Sequence, residues 1–506
     1  LSHPIEHGGQ GLPPSLGMIK SEMMGTANWS WSMYPGLSHG AMNTVQTHGS
    51  DEQKELYLTR LTEGTWTGTM CLTEAHCGTD LGMLRTKAEL NDDGSYRLNG
   101  SKIFISAGEH DLSDNIVHIV IARIPGSPEG TRGISLFAVP KFNISDNGDI
   151  EDRNGVNCGS IEHKMGINAN ATCVINFDNA KGYLIGEINR GLNCMFTFMN
   201  AARLGVANEG VSASEASFQG ALAYAKDRLQ MRSMSGVKNP NGPADPIIVH
   251  PDVRRMLLTQ KAFAEGGRAL ASDLAQLVDI THASNDEEQK AQAEAKLAFL
   301  TPIAKAFLTE TGLESTNHGI QVFGGHGFIK EWGMEQLLRD TKISCIYEGT
   351  TGIQALDLLG RKVLGSKGEL LKGFASEVVS FCQTNATNPA LTNYCQTLGS
   401  YLQEWQTTTM DIGQKAATNP DEVGAASVDY LMYSGYITLA YYWVKMVACA
   451  QQKLNEGTEE KDFYLAKIQT GQFYFDRILP RAKGHVACIT AGADSMMAID
   501  SEHFVF

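Results

Sequence analysis

A block of β-branched and aromatic residues separates two stretches of helical periodicity, and this order constrains the fold more than any other feature. Within residues 65–185, segments such as TWTGTMCLTE and GISLFAVPKF favour strands, and Asn99-Gly100 favours a tight turn. Residues 13–63 show helical spacing, which returns from about residue 188. We therefore expect an α+β protein with helices, a β-barrel or β-sandwich of seven or eight strands, and a helical bundle.

The chain has 506 residues, too many for a single hydrophobic core. We expect four parts, namely an N-terminal helical domain, a middle β domain, a helical bundle and a helical extension, at residues 1–64, 65–187, 188–364 and 365–506. The opening PIEHGGQG resembles the middle of a domain, so the first part is expected to be a remnant of a larger one. Junctions between such parts are common places for cofactors.

Helical spacing after the β block predicts several long segments and one loop. The loop is expected at 233–251, where glycines and prolines cluster. The helices are predicted at 190–232, 250–281, 286–312, 314–323 and 333–364, and further helices are expected to follow, with breaks at 385–389 and 418–420.

Composition and charge argue against two classes of partner. The formal net charge of -15 makes nucleic-acid binding a poor expectation. The most apolar stretch, residues 430–450, is interrupted by Ser434, Gly435 and Lys445, so no run reaches the ~18 apolar residues of a membrane span. This stretch predicts a buried helix instead.

The ten cysteines show no CxxC pair and no regular spacing. They are expected to be reduced and mostly buried thiols, as in a cytoplasmic protein. Cys71, His76 and Cys77 lie close together, but they lack a second half-site, so no metal is expected there.

Two motifs in the β block offer ligand-binding groups. MCLTEAHCGTD (70–80) follows a strand with hydroxyls and a glycine that lets a ligand approach the backbone. In KIFISAG (102–108), Phe104 and Ser106 alternate on one strand face, where a flat ring beside a hydroxyl suits a planar heterocycle. Taken singly, the first motif is equally compatible with a strand that leads into a surface loop, and the second is better explained as one more half-buried strand.

Two further motifs lie in the second helical stretch. QVFGGHGF (321–328) ends a helix with glycines that expose backbone N–H groups, which suits a pyrophosphate, although a simple helix end explains it too. RDTKISCIYEGTTGIQ (339–354) places Glu348 between helical segments, where a loop can aim a carboxylate into a pocket. A carboxylate that merely favours a helix dipole is the alternative.

Together the four motifs and their spacing resemble the acyl-CoA dehydrogenase family over about residues 5–364. The extension at 366–506 and the segment 250–270 resemble the large members with a C-terminal extension, which include enzymes acting on 3-(methylthio)propanoyl-CoA. The resemblance implies FAD-dependent α,β-dehydrogenation of an acyl-CoA thioester to the trans-2-enoyl-CoA. It also implies electron-transfer flavoprotein as the electron acceptor and a homo-oligomer, a dimer or larger.

The same resemblance assigns a role to each matching residue. Glu348 is the catalytic base, and its own backbone N–H is a donor to the thioester oxygen. Some members carry the base on the helix near Asn200–Arg203, but MNAARLG contains no carboxylate. The residues expected to bind FAD are Leu72, Thr73, Gly78, Thr79, Phe104, Ser106, Arg228, Gln321, Gly324, Gly325 and Thr350. Those expected to bind substrate are Thr79, Asn200, Arg203 and Tyr347.

Two other functions stay open on the sequence. An acyl-CoA oxidase of the same fold would pass electrons to O2, and a non-catalytic acyl-CoA-binding or scaffold protein would need no base. Glu348 and the two ligand motifs argue against the scaffold. No motif reports the depth of the acyl pocket, so straight-chain acyl-CoAs remain possible substrates.

Overall fold

The computed structural model of the chain describes residues 1–145 and 147–505. It divides into two compact units, the first from Leu1 to Gly205 and the second from Val206 onwards. The first unit holds helices and all the strands, and the second is helical. The predicted order of helices, strands and helices is confirmed.

The first unit opens with three helices, α1 (Pro14–Ala27), α2 (Trp29–His48) and α3 (Asp51–Glu63). Polar side chains fix where two of them begin. The Asn28 side chain accepts a hydrogen bond from the N–H of Trp31, and Ser50 and Gln53 form a reciprocal capping box. These helices confirm the helical prediction for 13–63.

Nine strands follow, more than the seven or eight predicted. They are β1 (Trp66–Cys71), β2 (Lys87–Leu90), β3 (Tyr96–Ser106), β4 (Asn115–Arg123), β5 (Ile134–Pro140), β6 (Phe142–Ile144), β7 (Ile150–Arg153), β8 (Val156–Ile161) and β9 (Thr172–Ile185). The short β6–β7 pair accounts for part of the difference, because β7 (IEDR) is fully exposed and carries no apolar pattern.

The main sheet closes on itself. The ring of paired strands runs β4–β2–β3–β9–β5 and returns to β4, while β1 adds to β4 and β8 adds to β9. The β1–β4 and β2–β4 pairs are parallel, and the other pairs are antiparallel. The closed ring leaves few free strand edges.

Strand β4 explains why this β block reads as continuously apolar. Val117, Ile119 and Ile121 enter a core shared with α2 and α3. Val120 and Ala122 point the other way, into a core formed by β3, β5 and β9. Because successive side chains of a strand face opposite sides, a strand buried on both faces must be apolar throughout.

Helix α4 (Gly191–Asp227) begins in the first unit and continues into the second, whose described part contains ten further α-helices besides short 3-10 and π-helical segments. These are α5 (Pro251–Ala283), α6 (Glu287–Phe323), α7 (Met334–Lys342), α8 (Thr351–Leu356), α9 (Glu369–Thr384), α10 (Thr392–Ala416), α11 (Asp421–Glu456), α12 (Lys461–Phe473), α13 (Ala482–Ala491) and α14 (Asp494–Met497). The loop predicted at 233–251 and both predicted breaks after residue 366 are confirmed.

Helix α6 corrects one prediction, because the break expected at residue 313 is absent. Gly312 lies inside the helix, where a Cβ atom would come 2.8 Å from the Cα of Gly210 on α4. At Gly210 a Cβ atom would lie 2.0 Å from the carbonyl oxygen of Leu308. The two glycines therefore let α4 and α6 pack backbone to backbone, and neither ends a helix.

The apolar stretch at 430–450 lies within α11, which is largely buried, as predicted. The indole N–H of Trp443 donates to the carbonyl of Ala262 on α5 at 3.2 Å, so the extension packs directly against the bundle. Among the described residues, no helix is long and apolar enough to cross a membrane. Of the ten cysteines, five are buried, which is fewer than expected.

Replacement of Gly435 by alanine tests the packing of α11 on α6. The new Cβ would lie 2.2 Å from the ring of Phe307, which is fully buried and cannot move freely. We expect a cost of about 1–3 kcal/mol and a thermal midpoint lowered by roughly 2–5 °C, read by circular dichroism. Gly424→Ala on the same helix meets nothing within 4 Å and should leave the midpoint unchanged or slightly raised. Equal midpoints for the two variants would contradict this packing.

Candidate functional site

The first predicted motif forms a tight loop directly after β1. Glu74 and Cys77 exchange two backbone hydrogen bonds of 2.9 and 3.1 Å, which closes a turn. Leu72 and Thr73 lie half-buried before the turn, whereas Gly78 and Thr79 lie exposed after it. A Cβ atom on Gly78 would lie 3.4 Å from the Thr73 side chain, so the two ends of the motif meet.

Glu74 holds this loop in place through a buried ion pair. Its carboxylate accepts hydrogen bonds from the Lys102 ammonium at 2.9 Å and from the backbone of Arg85 and Thr86 at 2.7 and 3.0 Å. Burial opposes the charge on Glu74, but Lys102 and these donors outweigh it and lower the pKa of Glu74 to about 2. Lys102 also donates to the carbonyl of Leu72 at 2.9 Å, so one ammonium fixes two points of the loop.

Glu74, His76 and Cys77 bring three potential metal-ligand atoms within 4.8 Å of one another. The oxygens of Glu74 are already engaged by Lys102 and by backbone donors, which compete with any cation. Cys71 lies apart from this group, with its sulfur 3.8 Å from Nδ1 of His118. The structure thus gives the cluster a role in shaping the loop.

The second motif carries a β-bulge that the sequence pattern does not reveal. The register of β3 on β9 shifts between Lys102 and Ile105, and Phe104 adopts a left-handed φ of 59°. The Phe104 ring is consequently 60% exposed, although it lies in a strand. The N–H of Ile103 donates to the carbonyl of Thr73 at 2.9 Å, which brings the first two motifs side by side.

Polar atoms beside the second motif lack partners within the described part of the chain. Asn170 accepts a bond from the N–H of Ala107 at 3.1 Å, but its buried Nδ2 has none. Thr172, which pairs with Ser106 across the sheet, has a buried hydroxyl in the same condition. Buried polar atoms usually find a partner, so these atoms fit a polar ligand at this edge.

Two predicted substrate residues lie on α4 within the first unit. Asn200 is exposed, and Arg203 is half-buried. The Nε atom of Arg203 is buried without a partner among the described residues. A guanidinium in this condition fits an anionic or carbonyl-bearing ligand.

The third motif, in the second unit, has backbone that no neighbouring side chain covers. Helix α6 ends at Phe323, Gly324 takes a left-handed φ of 60°, and a Cβ atom on Gly324 or Gly325 would meet nothing within 4 Å. Gln321 and Arg228 are both exposed. Open backbone and an exposed guanidinium are the groups that bind a pyrophosphate.

The fourth motif forms a short loop before α8, with Glu348 at its centre. Glu348 adopts a left-handed φ of 56°, which is uncommon for a residue with a side chain and costs about 1–2 kcal/mol. Such a conformation persists only when its surroundings hold it. Thr350 ends the loop by capping α8, since its hydroxyl accepts from the N–H of Ile353 at 3.2 Å.

The surroundings that hold the loop are a buried lysine and a buried glutamine. Lys305 on α6 is fully buried, and its ammonium donates to the carbonyls of Ser344 and Gly349 at 2.8 and 2.7 Å. Gln354 donates to the carbonyl of Glu348 itself at 3.2 Å. Burial lowers the pKa of Lys305 to about 8, so it is still predominantly an ammonium at neutral pH.

A second carboxyl group lies beneath this loop. Glu209 on α4 is buried and accepts a hydrogen bond from the hydroxyl of Tyr347 at 2.6 Å. Burial raises the pKa of Glu209 well above its ordinary value, although Tyr347 and Lys305 lower it in part. Tyr347 thus connects the loop to α4.

The sequence predictions named Glu348, Tyr347 and Thr350 on one loop, and the structure brings these three together. Leu72, Thr73 and the Phe104 strand also lie together, within the first unit. Sequence reasoning missed Glu74, Lys102, Glu209 and Lys305. A charged residue within an otherwise apolar run, as in PIAKAFL around Lys305, is the signal that could have found Lys305.

Comparison with known proteins identifies the family of the chain. Family models match four consecutive stretches: the acyl-CoA dehydrogenase N-terminal domain at residues 1–65, the middle domain at 69–180, the C-terminal domain at 189–364, and an acetyl-CoA dehydrogenase C-terminal-like domain at 374–500.

Individual proteins show the same similarity. The chain is 42% identical over 498 residues to 3-methylmercaptopropionyl-CoA dehydrogenase of Ruegeria pomeroyi, which covers 98% of this chain and 84% of that protein. It is 34% identical to a broad-specificity linear acyl-CoA dehydrogenase of Mycobacterium tuberculosis, with 98% and 84% covered. The fold matches the crystal structure of an acyl-CoA dehydrogenase complexed with FAD from Bacillus anthracis with a TM-score of 0.77 at 23% identity, covering 97% of this chain and 80% of that one.

Replacement of Lys305 by methionine tests the support of the Glu348 loop. The variant leaves the carbonyls of Ser344 and Gly349 without their buried donor. We expect a cost of about 3 kcal/mol and a thermal midpoint lowered by roughly 5 °C, measured by differential scanning calorimetry.

The matched control is Lys290→Met on the same helix. Lys290 pairs with Glu287, whose side chain is 86% exposed, so its loss should cost at most about 0.5 kcal/mol. If the Lys305 variant is as stable as this control, the ammonium does not hold the loop.

Proposed function

The chain belongs to the acyl-CoA dehydrogenase family, and from that membership we propose that it removes the α- and β-hydrogens of an acyl-CoA thioester, with Glu348 as the base. The observation that carries the assignment of Glu348 is its loop, in which a strained carboxylate-bearing residue is held by a buried ammonium and a buried amide. An active site can store strain of this kind to fix a reacting group in position.

The proton step belongs to Glu348. The α-hydrogen of a thioester is weakly acidic, so it needs a positioned base, and the carboxylate of Glu348 takes this proton and becomes neutral. Negative charge then develops on the thioester oxygen. The backbone N–H of Glu348 donates to that oxygen, an interaction that typically contributes ~3 kcal/mol to lowering the barrier.

FAD is the cofactor, and when bound it supplies an acceptor for the hydride that leaves the β-carbon. Residues of the first unit fit the flavin ring of FAD. Phe104 offers an exposed flat face, and the buried Nδ2 of Asn170 and hydroxyl of Thr172 have no hydrogen-bond partner among the described residues. Leu72, Thr73 and Ser106 line the same edge. In the second unit, Arg228 and the open backbone at Gly324 and Gly325 suit the pyrophosphate.

The remaining predicted residues fit the CoA thioester. Gly78 and Thr79 lie exposed after the first loop, where they can meet both ligands. The unpartnered Nε of Arg203 and the exposed amide of Asn200 are suitable donors to substrate. Gln321 and Thr350 complete the expected FAD contacts, and Tyr347 lines the acyl pocket.

We take 3-(methylthio)propanoyl-CoA as the specific substrate. The support is the similarity, along nearly the whole chain, to the Ruegeria pomeroyi 3-methylmercaptopropionyl-CoA dehydrogenase, whose name denotes the same acyl group. Similarity to the broad-specificity linear acyl-CoA dehydrogenase of Mycobacterium tuberculosis makes straight-chain acyl-CoAs the second candidate.

The electron acceptor proposed is electron-transfer flavoprotein, and the enzyme is proposed to be a homodimer or larger. An oxidase would pass the electrons to O2 and release peroxide. Peroxide formed in step with product during aerobic turnover would therefore overturn the dehydrogenase assignment.

Replacement of Glu348 by glutamine tests the base directly. Anaerobic addition of acyl-CoA should bleach the flavin absorbance of the wild type, whereas E348Q should bleach about 10²–10⁴-fold more slowly because glutamine cannot take the proton. Stopped-flow absorbance gives both rates. Glu331→Gln, at an exposed position, should behave as the wild type. Equal bleaching in E348Q would place the base elsewhere, and a protein without flavin would favour the non-catalytic scaffold.

A matched pair of substrates tests the acyl group. Pentanoyl-CoA differs from 3-(methylthio)propanoyl-CoA only by a methylene in place of sulfur. We expect kcat/KM to favour the sulfur compound by up to about tenfold, since pockets discriminate weakly between groups so alike. A preference for pentanoyl-CoA, or for much longer chains, would contradict the proposed substrate.

A further inference from the structure

Glu209 is a buried acid for which the reaction as proposed above has no use. It lies on α4, one residue before Gly210, where the close approach of α4 and α6 brings it towards Lys305. Only 9% of its surface is exposed. Burying a carboxyl group costs free energy, so its position calls for an explanation.

The explanation lies in what Glu209 contacts. Its carboxyl group accepts the 2.6 Å hydrogen bond from Tyr347, the residue immediately before Glu348. Glu209 and Tyr347 are 138 positions apart in the chain, so this bond ties the base loop to a separate helix. It complements Lys305, which holds the loop from α6.

Three groups among the described residues act on the charge of Glu209. They are the hydroxyl of Tyr347, which donates a hydrogen bond, the ammonium of Lys305 and the carboxylate of Glu348. Lys305 in turn faces Cys345 and Glu310. Glu209 and Glu348 are therefore two carboxyl groups within electrostatic reach, and the protonation of each depends on the other.

We propose that Glu209 is a positioning residue that orients Tyr347 and sets the base strength of Glu348, and that it carries a proton at neutral pH. This inference rests on the proposed function, because it takes Glu348 to be the base. Burial, the largest influence, raises the pKa of Glu209, and the charge on Glu348 raises it further, against the opposing effects of Tyr347 and Lys305.

The consequence is that the rate of proton removal depends on a second ionisation, that of Glu209. At low pH both carboxyl groups are protonated. Glu209 keeps its proton to higher pH because burial raises its pKa. At higher pH Glu209 ionises too, and the two anions repel each other. Uptake of the substrate proton by Glu348 then relieves this repulsion, so Glu348 becomes a stronger base and the rate rises again.

The test is the pH profile of anaerobic flavin reduction by saturating acyl-CoA in the full-length holoenzyme. The wild type should show two upward steps. The upper step should be about threefold if the pKa of the base rises by one unit and about half of that change appears in the logarithm of the rate. Glu209→Gln keeps the shape and an acceptor for Tyr347 but cannot ionise, so only the lower step should remain. Tyr347→Phe removes a bond that lowers the pKa of Glu209, so it should move the upper step to higher pH.

The matched control is Glu215→Gln on the same helix. Glu215 pairs with Arg268 on α5 at 2.7 Å, and its variant should keep both steps. A merely structural role for Glu209 would scale the rates without removing a step. Superimposable wild-type and E209Q profiles, or a single step in the wild type, would overturn the inference.

An infrared measurement without substrate supplies an independent readout. The difference spectrum of wild type minus E209Q at neutral pH should contain the carbonyl stretch of one protonated carboxyl group, and its absence would overturn the inference. If no acyl-CoA bleaches the wild type, the proposed function fails and this inference fails with it. If the wild type is bleached and E348Q is not, yet the E209Q profile is unchanged, this inference fails alone.

Discussion

The buried ammonium of Lys305 is the interaction on which the geometry of the Glu348 loop depends. Removing an ammonium from water is costly, and the loss is offset here because two loop carbonyls accept its hydrogen bonds while carboxyl groups lie nearby. The left-handed conformation of Glu348 is strained, so it requires fixed points on either side. Ser344 and Gly349 are those points.

The first unit uses the same device. Lys102, also fully buried, binds the carbonyl of Leu72 and the carboxylate of Glu74, and thereby shapes the loop after β1. The physical reason is common to both units. A loop has backbone carbonyls that no helix or sheet satisfies, and a lysine has three donors that can reach several of them. In both units, a loop that carries candidate site residues is thus held in place by a buried lysine.

Much of the fold could be predicted because its signals are local. Periodicity and turn residues located the helices of 13–63, the β block and the breaks in the extension. The prediction failed at α6, since the role of Gly312 is to admit α4, which no short window of sequence reveals. The bulge at Phe104 was missed because it depends on the register with β9. The division into four domains and the individual site roles remain predictions.

The sequence by itself determined the order of elements, the family and the residue types of the four motifs, Glu348 among them. The order of elements follows from periodicity along the chain, and the family follows from the resemblance of the motifs and their spacing. Only the tertiary structure decided how Glu348 is held and which groups share its charge. Glu209 and Lys305 reach the loop from α4 and α6, through contacts between residues far apart in sequence. Electrostatic effects depend on distance and burial, and neither quantity is written in a linear sequence.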